Sequence, residues 1–182
     1  MDPQVVPARH GGGRCRPAAP GGGRGVALTA GLPLVADGLA TDLYVDPAEH
    51  PAVIRAAGDL QADIERVSGV RPRLLHALPE RAGHLVVITT SAAPGRWEAS
   101  VTRVVDRPFP GVDRALTITG SDRRGTVYGI YDTSERIGVS PWHWWADVPI
   151  AHRDTVTVPA RTFERREPSV RYRASSSTTS RT

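Results

Sequence analysis

From Leu32 onward the apolar positions fall into regular periods, and those periods predict the elements of one layered domain. Leu32–Ala36 and Asp42–Val45 read as two short strands around a turn at Asp37-Gly38. Asp46-Pro47 offers an N-cap followed by proline at the first helical position. Val53, Ala57, Leu60, Ile64 and Val67 then recur at spacings of 4, 3, 4 and 3, the apolar stripe of an amphipathic helix. Gly69 is placed to end it, and Asp63 and Glu65 read as its solvent-facing side. Arg73–Leu75 is a short strand and Leu85–Thr89 a buried one. Trp97–Val105 alternates, with Trp97, Ala99, Val101 and Arg103 on one side. Phe109-Pro110-Gly111 turns the chain and Ala115–Thr119 returns as a strand. Asp122 caps a second helix with an inner stripe of Val127, Ile130, Tyr131, Ser134 and Ile137, and Gly138 terminates it. Thr155–Val158 is a last strand. The alternation of the two periods predicts an α/β (α+β layered) domain with a mixed β-sheet and two main amphipathic helices.

Composition confines that domain to the middle of the 182 residues. Residues 1–30 carry two Gly-Gly-Gly runs with Pro and Arg between them, a composition that buries no core and predicts disorder. A signal-peptide reading of Val26–Ala36 is weakened by Thr29, Gly31 and Pro33, so the compartment stays open. All 23 basic residues are arginine, and the net charge is +4. The positive excess lies in residues 1–30 and 161–182, while residues 31–160 are net acidic. A nucleic-acid partner is therefore not expected, because such a domain carries its basic patch on the folded surface. No apolar run reaches the roughly 18 residues of a membrane span. The one cysteine, Cys15, excludes an internal disulfide.

Candidate chemistry is sparse. No nucleophile elbow, P-loop, dinucleotide fingerprint or His-Glu-x-x-His helix occurs. The six histidines lack metal-ligand spacing, so no catalytic residue, metal or cofactor is assigned. Two features stand out. Trp142, Trp144 and Trp145 crowd into the loop Val139–Pro149, which suits a plug against a neighbouring domain, a carbohydrate-stacking surface or a partner interface. Arg123 and Arg124 stand at the start of the second helix, where they hold a carboxylate or phosphate, or are solvated or paired beside the Asp122 cap.

Several blocks occur together in one order: Leu34-Val35-Ala36-Asp37-Gly38, Ala56–Ile64, Pro110–Leu116, Arg123–Asp132, Ile137–Trp142 and Trp144–Pro149. Across roughly residues 32–173 this pattern resembles the amino-terminal domain of glycoside hydrolase family 115. The resemblance implies an α/β accessory domain of the kind that precedes a (β/α)8 barrel. It implies an enzyme that removes (4-O-methyl)glucuronic acid side chains from xylan by inversion, with the catalytic machinery mainly in the barrel. It also implies partners, namely that barrel and a xylan or glucuronoxylan oligosaccharide, and family members are commonly exported.

The chain departs from the family pattern twice. The stretch between Leu85 and Trp97 is short, which removes room for a helix. After Arg173 the family continues with Gly-Ile-Phe-Leu-Asn-Asp-Glu, whereas this chain ends ASSSTTSRT. A GC-rich codon string for Gly-Ile-Phe-Leu-Asn-Asp-Glu-Pro-Asp, less one nucleotide, encodes that same tail. The expectation is an accessory domain over 31–160, a linker over 161–182 leading to a missing barrel, and a frameshifted tail over 174–182. The chain is then an inactive fragment of a hydrolase. The alternative is a free-standing carbohydrate-binding or interaction module, with the tryptophans as platform and Arg123 or Arg124 taking a uronate carboxylate.

Overall fold

The computed structural model describes residues 31–91 and 96–170. The tail readings for 1–30 and 174–182, and the site of the absent helix within 92–95, lie outside those residues. Strand β1 (Leu32–Ala36) turns at Asp37-Gly38, both left-handed (φ 52° and 72°), into β2 (Leu39–Ala40). The turn is where the Asp-Gly pair predicts it. Its partner is different: Asp42–Val45 leaves the hairpin and its residues Leu43–Val45 form β3 in another sheet. β1 instead takes β8 (Val156–Val158) on its other edge, giving a small sheet ordered β2-β1-β8.

Helix α1 spans Pro51–Ser68. It begins four residues after the Asp46-Pro47 cap that the sequence suggests, and the cause is the second proline. A helix starting at Pro47 would place Pro51 in its interior, without an N–H for the Pro47 carbonyl, and would force His50 out of the helical region. Pro51 therefore takes the first helical position. The His50 Nδ1 caps it by accepting the Ala52 N–H (3.1 Å), and Asp46 Oδ1 accepts the Ala48 N–H in a local turn (2.8 Å). Gly69 ends the helix with φ 74°.

The main sheet contains β3, β4 (Leu74–Leu75), β5 (Ala82–Thr90), β6 (Ser100–Phe109), β7 (Val112–Gly120) and β9 (Phe163–Arg165), in the order β4-β3-β5-β7-β6-β9. The strands β4, β3, β5 and β7 run parallel, and β6 is antiparallel to both β7 and β9, so the sheet is mixed. Helix α2 (Arg123–Ile137) follows β7, and a short helix α3 covers His143–Ala146. Both long helices and the small sheet share one core with Val86, Ile88, Leu116 and Ile118 of the main sheet. A second, smaller cluster is built on Leu85, Val87, Val112 and Ala115. The strand β9 falls within the stretch read as a linker. Arg136 and Arg161 lie over the Phe163 ring (4.2 and 4.6 Å), and Arg165 reaches Asp132 of α2 (2.9 Å).

Two side-chain assignments change. The strand predicted from Trp97 begins at Ser100, because Glu98 is left-handed (φ 53°) and breaks the extended run. Of its two alternating sides, the one that carries Ser100 and Thr102 is buried, and Ser100 lies against Gly129 of α2. On α2 the buried face runs through Thr126, Gly129, Ile130, Thr133, Ser134 and Ile137, and Tyr131 is rotated outward, 45% exposed.

Candidate functional site

The start of α2 is satisfied from within. Asp122 Oδ1 accepts the Gly125 N–H (2.6 Å) and Oδ2 accepts the Glu98 N–H (3.1 Å). The Arg124 Nη1 sits 2.8 Å from Oε1 of the buried Glu98, and its Nη2 donates to the Tyr128 hydroxyl (3.2 Å). The Tyr128 hydrogen bond first, then the charges of Glu98 and Asp122, raise the Arg124 pKa further and keep it cationic. The Arg123 Nη1 lies 3.4 Å from His50 Nε2. Of the two sequence readings, the geometry is that of a capped helix with arginines turned to protein partners.

The aromatic stretch after α2 is not an irregular loop throughout, because His143–Ala146 closes one helical turn. The Trp142 N–H donates to Ser140 Oγ (3.2 Å), and His143 Nδ1–H donates to the Val148 carbonyl (2.9 Å). Trp142 is 65% and Trp145 84% exposed, while the Trp144 side chain lies outside the described ones. The structure keeps these tryptophans apart from Arg123 and Arg124. The 15 residues of α2 separate them, about 20 Å at ~1.5 Å per residue. A sugar on Trp142 therefore cannot place its carboxylate on Arg123 or Arg124, so the two candidates do not make one site.

Beside the tryptophan turn, a cavity of about 490 Å³ opens between α1 and α2, within the usual range for small-molecule sites. Helix α1 contributes Arg55, Asp59, Asp63 and Arg66, and Tyr131, Ser134 and the Val139–Pro141 segment close the other side. Asp63 is thus not on a solvent-facing side. It is 4% exposed and accepts from Arg66 Nη1 (2.6 Å), whereas Glu65 does face solvent and pairs with Arg71 (2.7 Å). The Tyr131 hydroxyl donates to Asp59 Oδ2 (2.8 Å). The Ser134 Oγ is buried and has no hydrogen-bond partner among the described residues. The sequence reading missed this cavity, although its signal was present. Arg55, Asp59, Asp63 and Arg66 recur at spacings of 4, 4 and 3, a charged stripe alongside the apolar one.

Burial, then the hydrogen bond to Asp59, raises the Tyr131 pKa from 10.0 to about 12. The fold favours the neutral phenol, so this stability is complete below pH 10 and is lost as pH rises towards 12. A shift of that size corresponds to about 2.7 kcal/mol. Tyr131 is 45% exposed, and solvent screening reduces the contribution to about 1 kcal/mol. Wild type is expected to lose about 1 kcal/mol more than Tyr131→Phe between pH 9 and pH 12 in urea denaturation. Parallel curves for the two proteins would refute the coupling.

A smaller cleft of about 200 Å³ at the other end of the sheet is lined by Ser91, Arg96, Ser121, Arg165 and Arg166 among others. Among the described residues, no group of three or more His, Cys, Asp or Glu could hold a metal ion. No helix among them is long and apolar enough to cross a membrane.

No protein-family profile and no curated protein matches the chain. Solved structures do. One is a family GH115 4-O-methyl-α-glucuronidase, BtGH115A, described as having specificity for decorated arabinogalactans. It is 25% identical, with a TM-score of 0.63 over 78% of this chain and 19% of that one. Another is the GH20 β-N-acetylhexosaminidase from Streptomyces coelicolor A3(2). It is 17% identical, with a TM-score of 0.51 over 79% of this chain and 25% of that one, a likeness of fold alone. The chain spans only about a fifth of the first enzyme and a quarter of the second. It is a glycoside-hydrolase-related α/β domain.

Proposed function

We propose that this chain is the amino-terminal accessory domain of a family-115-like α-glucuronidase, that it stands ahead of a catalytic barrel, and that it carries no catalytic residue itself. The observation that supports the reading is the 25% identity to a 4-O-methyl-α-glucuronidase over 78% of the chain, with a TM-score of 0.63. The substrate of the whole enzyme would be a polysaccharide decorated with (4-O-methyl)glucuronic acid, xylan by the sequence blocks. Exposed Trp142 and Trp145 form the contact with the barrel. Together they offer apolar surface of the kind that a partner covers.

The test has two arms. DNA beyond the codon for Arg173, read in all three frames, is expected to encode Gly-Ile-Phe-Leu-Asn-Asp-Glu and then roughly 250 residues of barrel. The purified 182-residue chain is expected to release no glucuronic acid from glucuronoxylan, and the same chain joined to that barrel to release it. Downstream DNA without barrel sequence in any frame overturns the reading. So does glucuronic acid release by the short chain.

A second reading, a free-standing carbohydrate-binding module, draws on the same exposed tryptophans. It no longer has Arg123 or Arg124 at its disposal, since α2 holds them at its far end.

A further inference from the structure

We propose that the cavity between α1 and α2 is a binding subsite for a single pyranose residue carrying one carboxylate. The inference rests on the accessory-domain reading only for the source of such a sugar, a uronate-decorated polysaccharide. The site itself is argued from its walls.

Three observations converge there. First, Arg55 lies on the rim, exposed, and makes no hydrogen bond or ion pair among the described residues. A guanidinium in that position offers a fork of N–H donors that suits one carboxylate. Second, the Ser134 Oγ is unpartnered among the described residues although Ser134 is only 4% exposed. A buried hydroxyl without a partner is costly in a folded protein and points to a group that completes it. Third, Asp59 and the Tyr131 hydroxyl already form one hydrogen bond (2.8 Å), and the carboxylate has lone pairs left for sugar hydroxyls. The Tyr131 ring and Pro141 add apolar surface for the C–H face of a pyranose.

The charge balance of the cavity selects the ligand class. Asp59 and Asp63 sit in it with Arg55 and Arg66, and Arg66 is held by Asp63 (2.6 Å). A phosphate, with its larger charge, would meet two carboxylates and one available guanidinium. A neutral sugar would leave Arg55 unused. One carboxylate on a polyol satisfies Arg55 through the anion and Asp59 and Ser134 through hydroxyls.

The experiment is an NMR titration of the full 182-residue chain with D-glucuronate, D-glucose and inorganic phosphate. Glucuronate is expected to saturate with a Kd on the order of 1 mM, typical for a lone monosaccharide-sized ligand. Glucose should bind about tenfold more weakly, and phosphate should not displace glucuronate. Arg55→Gln, a surface change that leaves the core untouched, is expected to bring glucuronate down to the level of glucose. Ser134→Ala is expected to weaken glucuronate several-fold and to raise the melting temperature of the unliganded chain. A purely structural serine would move the second readout and not the first.

The proposal is overturned if the folded chain shows no saturation by about 20 mM glucuronate, roughly twenty times the expected Kd. Equal binding of glucose and glucuronate overturns it, as does displacement of glucuronate by phosphate or indifference to Arg55→Gln. None of these outcomes touches the accessory-domain reading, which the downstream DNA decides. A chain with no barrel downstream would still bind glucuronate if the subsite is real.

Discussion

Gly125→Ala is expected to destabilise the domain by about 2 kcal/mol, while Gly58→Ala is expected to stabilise it by about 0.5–1 kcal/mol. Both glycines sit inside helices, and intrinsic helix propensity would favour alanine at either by about 1 kcal/mol. Space decides the sign. A methyl group on Gly125 would overlap the carbonyl of Ala99, and that carbonyl is held by the Ser121 N–H (2.9 Å). The backbone cannot withdraw without giving up that bond, so α2 would have to rise off the sheet. At Gly58 nothing lies within 4 Å of the new methyl. Urea midpoints of the two variants check the pair, and a Gly125→Ala protein as stable as wild type would refute the close-approach argument. Gly129, one turn further on, faces the Ser100 and Ile118 side chains less tightly, at 3.0–3.1 Å from where a methyl would sit. Gly125, Gly129 and the small hydroxyls of β6 therefore form one flat interface.

That interface explains which parts of the fold were legible in the sequence. The stripe of α1 was legible because Val53, Ala57, Leu60, Ile64 and Val67 are apolar at helical spacing, and all five are fully buried. The inner face of α2 was half legible. Ile130 and Ile137 announced it, but Gly129, Thr126 and Thr133 do the packing, and small or hydroxylated residues leave no hydrophobic signal. The same misreading put Tyr131 inside. The alternation of β6 was legible but not its buried side, since Ser100 and Thr102 carry no apolar signal until a helix lies on them. β9 was invisible for another reason. Phe163-Glu164-Arg165 has one apolar residue, and the strand is held by that residue's packing on the core, by arginines over its ring and by pairing with β6, none of which makes a hydrophobic pattern.

The candidate site was read with less success, and the cause is geometric. Arg123, Arg124 and the tryptophans are close in sequence and chemically suited to an acidic sugar. A helix of 15 residues between them turns that proximity into about 20 Å. The α1 residues that line the cavity beside the tryptophan turn lie 65–86 positions before those that face them, Tyr131 to Pro141. Asp63 read as part of a solvated helix face because nothing in a single helix reveals what packs next to it. Only the pairing of α1 with α2 makes a cavity of that stripe.

Asp122→Ala carries the other large expected effect, a loss of about 2–4 kcal/mol. One carboxylate does two jobs. It accepts the Gly125 N–H at 2.6 Å, a helix cap whose removal costs about 0.5–2 kcal/mol. It also accepts the Glu98 N–H at 3.1 Å, and a buried N–H left without a partner costs about 1–3 kcal/mol. Glu98 has further need of support. It is 2% exposed and left-handed at φ 53°, a conformation that non-glycine residues adopt at a cost of about 1 kcal/mol or more. Arg124, 2.8 Å from its carboxylate, and Asp122 at its backbone together keep it there. Asp122→Asn should lose only about 1 kcal/mol, because the amide oxygen still accepts one of the two N–H groups. Urea denaturation of the two variants separates the roles. If alanine and asparagine destabilise equally, the hydrogen bond that asparagine keeps contributes nothing, and Asp122 does not act through two bonds.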